Sequence, residues 1–352
     1  MRVAVTGATG NLGTSVLAAL AEMAEVESVV GIARRRPGSA IPGVEWATAD
    51  VAVDDLAPAL EGADAVIHLA WAIQPSRDER RLEDVNVRGT ERVLEAAAAC
   101  GAKSLVHASS VGAYTGVEPA RRGTRFGESH ATTGIPTSTY SSQKATVERM
   151  LDSFERAHPE VAVARMRPAL IFKREAAAEI RRLFAGPFLP NGLLRWVRPP
   201  ILPVPAGLRF QVVHADDAGQ GFALAAAAGA RGPFNLAAEP VLEGADLARA
   251  LGARAVPVRP AVLRTLANAT WRARLQPTPA GWLDMAMASP LMDTSRARDE
   301  LGWEPRAGAR ETLTELIEGL AAGAGGSTPP LHPRAGGRFR LGELRSRIGG
   351  SS

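Results

Sequence analysis

Short Val-, Ile- and Ala-rich runs alternate with longer stretches of helical period through the first half of the chain. Val3–Thr6, Ser28–Ala33, Val44–Thr48, Ala65–Leu69, Ser104–Ala108 and Val161–Met166 have the length and composition of strands. Between them, Leu12–Met23, Asp54–Leu60, Glu79–Ala99 and Ser138–His158 carry apolar residues at helical spacing. Near-continuous apolar strands separated by helices predict a parallel sheet covered on both faces. The expected fold is a doubly wound α/β domain whose ligands sit beyond the carboxyl ends of the strands.

That rhythm breaks after Arg167-Pro168. Residues 172–211 are dense in Pro, Arg and bulky apolar residues, as in Phe188-Leu189-Pro190, which suits irregular segments and short helices around a pocket. Helical patterns then dominate, at Asp216–Ala230, Gly244–Leu251, Ala261–Arg274 and Arg310–Ala321. We therefore expect a sheet domain over residues 1–171, to which part of 208–240 returns, and a smaller mixed, pocket-forming domain over residues 172–322.

Composition narrows the class without changing this outline. The 352 residues are 46% hydrophobic and 22% charged, as in soluble globular chains. No run approaches twenty strongly apolar residues, and the Ala-rich stretch Phe222–Ala230 is too short to span a bilayer. The chain opens on a strand rather than a signal-like segment, and its single cysteine, Cys100, excludes an internal disulfide framework. A reducing, cytoplasmic setting is the expectation. The formal net charge of +4 resides wholly in residues 323–352, where Arg334, Arg338, Arg340, Arg345 and Arg347 face only Glu343. Rich in Gly, Pro, Ser and Arg, this stretch reads as a disordered basic tail. With residues 1–322 formally neutral, a nucleic-acid partner is not expected.

The candidate chemistry lies at strand ends. Thr6-Gly7-Ala8-Thr9-Gly10-Asn11-Leu12-Gly13 joins the first strand to the first helix. Its glycines allow a tight turn and close backbone approach to a pyrophosphate, which the helix N-terminus favours electrostatically. At the end of the second strand stand Arg34, Arg35 and Arg36 rather than the carboxylate that would bond the ribose hydroxyls of NAD. Arginines there pair with a 2′-phosphate, so NADP is favoured and NAD left open. Asp50-Val51 ends the third strand, where a short acid can accept from an adenine amino group. His68-Leu69-Ala70 ends the fourth, with small Ala70 letting the backbone lie against a cofactor. No second His or acid stands at ligand spacing from His68, so no metal site is expected. Asn86 lies within a helix and, if buried, needs a partner such as water or the backbone of the site. Ser109 and Ser110 follow the fifth strand, where a hydroxyl can bond a substrate oxygen. Finally, Tyr140 and Lys144 stand one helical turn apart in a chain with only two tyrosines and three lysines. A neighbouring ammonium can lower a phenol's pKa and fit it for proton transfer; the alternative is an ordinary solvated helix face.

With these residues in this order, the sequence resembles the extended short-chain dehydrogenase/reductase superfamily, specifically the NAD-dependent epimerase/dehydratase family. The likeness runs from Met1 to about Ala322. Beyond the motifs above it includes Arg167-Pro168, Val213-His214-Ala215-Asp216-Asp217, Phe234-Asn235-Leu236 and the Asp293–Trp303 stretch. The resemblance implies a Rossmann-like NAD(P)-binding domain and Tyr140 as catalytic acid/base. Lys144 would lower its pKa and bind the nicotinamide ribose, and Ser110, rather than Ser109, would polarise the reacting oxygen. It also implies a homodimer through the helices after the fourth and fifth strands. Two departures weigh against the family's nucleotide-sugar reactions. Val111-Gly112-Ala113 lacks the acidic pair of sugar 4,6-dehydratases, and Arg167–Lys173 lacks the Asn that contacts nucleotide-sugar phosphates in epimerases. Arg181, Arg182 and Arg209 remain candidate phosphate partners. A different class is a catalytically silent NAD(P)-binding sensor or scaffold on the same fold; members of that kind often lack the Tyr/Lys pair.

Overall fold

Seven strands pair into a single parallel sheet in the computed structural model, which describes residues 1–38, 41–73, 77–185 and 199–333. They are β1 (Arg2–Thr6), β2 (Ser28–Ala33), β3 (Val44–Thr48), β4 (Ala65–His68), β5 (Ser104–Ala108), β6 (Ala162–Pro168) and β7 (Gly232–Leu236), in spatial order β7-β6-β5-β4-β1-β2-β3. The direction of growth reverses between β1 and β4, which places a crevice at the carboxyl ends of those two strands. Helix α1 (Asn11–Ala21) buries Val16, Leu17 and Leu20 on one face, with helix α4 (Ala215–Ala227) beside it. The Ala-rich stretch is thus a buried helix: a Cβ on Gly219 would fall 2.6 Å from the Ser15 backbone, so glycine sets how closely α4 approaches α1. Helices α2 (Gly89–Ala99) and α3 (Thr139–Ala157) cover the opposite face with Val93, Leu94, Val147 and Leu151. Strands buried on both faces explain the unbroken apolar runs.

Two expected helices are interrupted. Over 54–60 only Ala57–Leu60 is helical, because the Asp54 carboxylate turns back to accept from the Asp50 amide at 2.8 Å. The 79–99 helix contains a π-helical turn at Asp84–Arg88, which carries Asn86; such bulges gather at functional sites. Beyond the sheet, Ile201–Pro205 pairs with Arg254–Val258, and Leu170–Phe172 with Val212–His214.

The structure overturns the disordered reading for the first part of the expected tail. Residues 323–333 pack against the domain, with Thr328 and Leu331 each only 2% exposed. They follow the last helix among the described residues, α5 (Ala309–Ala322), through a left-handed Gly323. The remainder of the expected tail, with its five arginines, lies outside the described residues.

A row of polar residues crosses the sheet. Thr6, His68, His107 and Arg165 are register partners on adjacent strands. His68 Nδ1 meets the Thr6 hydroxyl at 2.7 Å and Nε2 meets that of Thr90 at 3.0 Å. His107, 1% exposed, has both ring nitrogens buried without a hydrogen-bond partner. Burial, with the nearby Lys144 charge, holds His68 down to about 3 and His107 well below the usual histidine range. Both rings are therefore neutral in the fold but protonate in the unfolded chain below about pH 6.5. The unfolded state then binds more protons, so stability should fall as pH drops from about 6.5 toward 3. Urea midpoints measured across that range should show the loss, and His107→Leu should flatten the slope; an unchanged slope counts against this assignment.

Candidate active site

The first βα turn has the shape of an anion cradle. Gly7 has φ +68°, and a Cβ there would sit 2.8 Å from the Ala70 nitrogen and 2.9 Å from the Leu69 carbonyl carbon. At Gly13 a Cβ would fall 2.4 Å from the Gly7 oxygen. The Gly10 amide closes the turn onto the Gly7 carbonyl at 3.0 Å, and Gly10 caps α1 without any side-chain bond. The first N–H groups of α1 thus have no capping side chain to satisfy them, which is the donor set a phosphate needs. Asn11 anchors the turn by donating to the Ile171 carbonyl at 3.2 Å, while Leu12 packs toward the core. The Thr9 carbonyl accepts from the Thr328 hydroxyl at 2.7 Å.

Along the neighbouring strand ends, Arg34 and Arg35 are exposed. Asp50 bonds the Ala52 amide at 3.0 Å and pairs with Arg81 at 2.9 Å. Burial raises its pKa, but these bonds outweigh it and hold the carboxyl below the usual range. Val51 is buried, near where a Cβ on Gly89 would be. Asn86, 1% exposed, clamps Ala72 from both sides: its oxygen accepts from the Ala72 amide at 2.7 Å and its nitrogen donates to the Ala72 carbonyl at 2.8 Å. A further bond at 2.8 Å ties it to Gln143 on α3.

Ser110, Tyr140 and Lys144 converge where β5 ends. Ser138 caps α3 by accepting from the Ser141 amide, which sets Tyr140 in the first turn. The Ser110 hydroxyl accepts from the Gly112 amide at 3.0 Å, and Gly112 faces the Tyr140 ring, while Ser109 donates to Glu148 at 2.6 Å. Lys144 is only 3% exposed, which rules out the solvated-face reading. Its ammonium donates to the Ala108 carbonyl at 2.7 Å and lies 3.2 Å from the Trp71 ring centre. The expected electrostatics are not those of the structure. Burial pushes the Tyr140 phenol up, and it is the Ser110 hydroxyl that opposes this. Burial also holds Lys144 well below the usual lysine range despite Glu148. With its charge against Trp71 and Ala108, Lys144 contributes less to the phenol than the i, i+4 spacing implies.

Aromatic side chains that no sequence motif marked enclose the phenol. Trp71 meets Tyr140 edge-on at 6.0 Å and Trp282 lies 5.0 Å away, with Phe184 against Trp282 at 5.0 Å. Two glycines make room. A Cβ on Gly281 would fall 2.1 Å from the Thr137 oxygen, and one on Gly112 3.0 Å from the Tyr140 ring. A cavity of about 60 Å³ beside the phenol is bordered by Ile73, Leu82, Thr139, Gln143 and Trp282, and none of its described lining residues is charged.

Behind the site lies a buried ionic cluster. Glu148, 1% exposed and one turn past Lys144, takes two 2.8 Å bonds from Arg167 and a 3.3 Å bond from Arg165. Arg167 also donates to the Tyr114 hydroxyl at 3.0 Å, which donates to Asn235 at 2.6 Å. Among the described residues no three His, Cys, Asp or Glu side chains converge as a metal site, and no helix is long and apolar enough to cross a membrane.

Comparison with known proteins matches this architecture. The model of the NAD dependent epimerase/dehydratase family covers residues 3–237. An uncharacterized protein of Mycobacterium tuberculosis, Rv2047c, is 32% identical over 319 residues, and the chain spans only 30% of that relative's length while 90% of the chain is covered. Sterol demethylase protein B of Methylococcus capsulatus is 35% identical over 126 residues, covering 34% of this chain and 37% of that protein. Among solved structures, UDP-glucose 4-epimerase of Thermus thermophilus in complex with NAD superposes with a TM-score of 0.67 at 20% identity, over 91% of this chain and 99% of that one. At that identity the likeness is one of fold. Taken with the cradle at residues 7–13 and the sheet order, the family match is decisive: the chain belongs to the NAD dependent epimerase/dehydratase family.

Proposed function

We propose that this protein is an NAD(P)-dependent oxidoreductase or epimerase that moves a hydride to or from a secondary alcohol or ketone, with Ser110, Tyr140 and Lys144 as its catalytic residues. The observation that carries this is the convergence of Ser110 and Tyr140, both against Gly112, beside a buried Lys144 at the carboxyl end of β5. The cradle of Gly7, Gly10 and Gly13 fits a dinucleotide, since close backbone approaches leave no room for a side chain at Gly7 or Gly13 and its helix amides favour phosphate. The α1 amides, Asp50, Val51, Leu69 and Ala70 would hold the dinucleotide, with Lys144 at its ribose. The Trp71 face is a soft partner for the ammonium that a sugar hydroxyl can replace. When bound, the nicotinamide accepts or supplies the hydride. Tyr140 takes the alcohol proton in oxidation and returns it to the forming alkoxide in reduction, while Ser110 donates to the same oxygen.

The uncharged border of the cavity supports a substrate with an apolar body over a nucleotide-sugar, whose diphosphate needs cations. The relative named for a sterol points the same way; the epimerase neighbour points to sugars. A panel of apolar ketones and alcohols run against UDP-sugars, followed by nicotinamide absorbance, decides between them. Near-ultraviolet absorbance and mass spectrometry of the purified protein give the bound dinucleotide and its phosphorylation state.

Arg34 and Arg35 support NADP, whereas the epimerase neighbour is a complex with NAD. Replacing both with Ser should weaken NADP binding on the order of 10–100-fold, the worth of one or two bonds to a charged phosphate, and leave NAD nearly unchanged. Equal NADP affinity before and after would remove the preference.

A further inference from the structure

The phosphate-binding turn has an unexpected neighbour in residues 324–333. The Thr328 hydroxyl donates to the Thr9 carbonyl at 2.7 Å, and both residues are buried, at 2% and 6% exposure. This bond fixes one side of the Thr9–Gly10 peptide unit. Its other side is fixed already, since the Gly10 amide donates to the Gly7 carbonyl at 3.0 Å. The peptide that leads into α1 is therefore pinned at both its oxygen and its nitrogen, which sets the direction of the helix amides that follow.

The segment is built to hold this position. Its start is anchored by the Ala178 amide on the Ala324 carbonyl at 3.1 Å, and its end by Arg182 on the Pro330 carbonyl at 2.8 Å. Between these points the chain reverses on itself. Gly326 donates to the Leu331 carbonyl at 2.9 Å, and the Leu331 amide returns to Thr328 at 3.1 Å. Glycine is required in that reversal, since a Cβ on Gly325 would fall 2.5 Å from the Leu331 oxygen. Leu331, 2% exposed, supplies the apolar anchor.

We propose that residues 324–333 are a functional part of the dinucleotide site, a strap whose Thr328 is a positioning residue that presets the phosphate-binding turn. The inference rests on the dinucleotide reading of residues 7–13. A preset turn spends no binding energy on ordering itself, so the strap strengthens dinucleotide binding and slows its release.

The test uses the full chain, a Thr328→Val variant of nearly the same shape, and a chain ending at Gly323. Dinucleotide dissociation constants and release rates are measured with NADP and NAD, alongside hydrogen exchange of residues 324–333 with and without dinucleotide. Thr328→Val should weaken binding by about 2–10-fold, the worth of one hydrogen bond. The shortened chain should release dinucleotide faster than the variant, and exchange in the strap should slow when dinucleotide is added. Tight binding that is equal in the full chain and in Thr328→Val, with strap exchange unmoved, overturns the strap and leaves the dinucleotide reading standing. Absence of binding in every chain, the full one included, overturns both. Should the shortened chain fail to fold, the variant and the exchange data decide.

Discussion

The Tyr140→Phe protein should lose turnover by a factor of about 10²–10⁴, the usual contribution of a positioned acid–base group, while folding and binding dinucleotide as the parent does. The substitution removes one oxygen and little packing. The ring keeps its places against Trp71 at 6.0 Å and Trp282 at 5.0 Å, and Gly112 still faces it. What disappears is the phenol oxygen, the proposed proton carrier, which the Ser110 hydroxyl influences. Single-turnover hydride transfer and dinucleotide titration, run on the same preparation, separate chemistry from binding. Undiminished turnover would exclude Tyr140 as the acid–base group. A parent protein that binds dinucleotide but turns over no compound in the panel would instead favour the sensor or scaffold reading.

Glu148→Ala should destabilise the fold by roughly 3–5 kcal/mol, the range for breaking a buried ion pair from one side. The carboxylate is 1% exposed and faces two buried guanidinium groups. Glu148 is the carboxylate with which Arg167 pairs, while Arg165 also has Asp152 and Glu155. Burial raises the Glu148 carboxyl, yet the Arg167 and Ser109 bonds bring it below the usual range, so the substitution removes a charged group. Urea unfolding measures the loss. Replacing Glu148 and Arg167 together with Leu and Met should recover much of it, because Arg167 is then not left as a lone buried charge. A single variant as stable as the parent would mean that water reaches Arg167. Activity should fall as well, since Glu148 holds the serine next to Ser110.

Much of this was legible in the sequence because the relevant signals are local. β1, β2, β4, β5 and β6 announce themselves as apolar runs since they are buried, and the glycine spacing of residues 7–13 follows from close backbone contacts at that turn. Ser110, Tyr140 and Lys144 were nameable because strand end and helix start place them together. The later motifs were visible as patterns, but the structure gives them knitting roles: Trp303 donates to the Asp217 carbonyl at 2.7 Å, and Asn235 to that of Asp293 at 2.9 Å. Trp282, Phe184 and Thr328 were not legible. Each reaches the site across a long span of chain from a segment without periodic pattern, and contacts such as the backbone approach at Gly281 or the reversal at Gly325 bring them there. The environment of the lysine and the phenol was not legible for another reason. Spacing predicts proximity, whereas the pKa depends on burial and on what else the ammonium touches.

The Thr9–Thr328 bond joins residues 319 positions apart in sequence. During synthesis the sheet strands up to β6 and the glycine-rich turn emerge early and are able to pair, while β7 waits for residue 236. The bond that fixes the turn waits longer still, until residue 328 has been added. A nascent chain therefore passes through a stage in which its sheet is assembled while the Thr9–Gly10 peptide is held only through its nitrogen, by the Gly7 carbonyl.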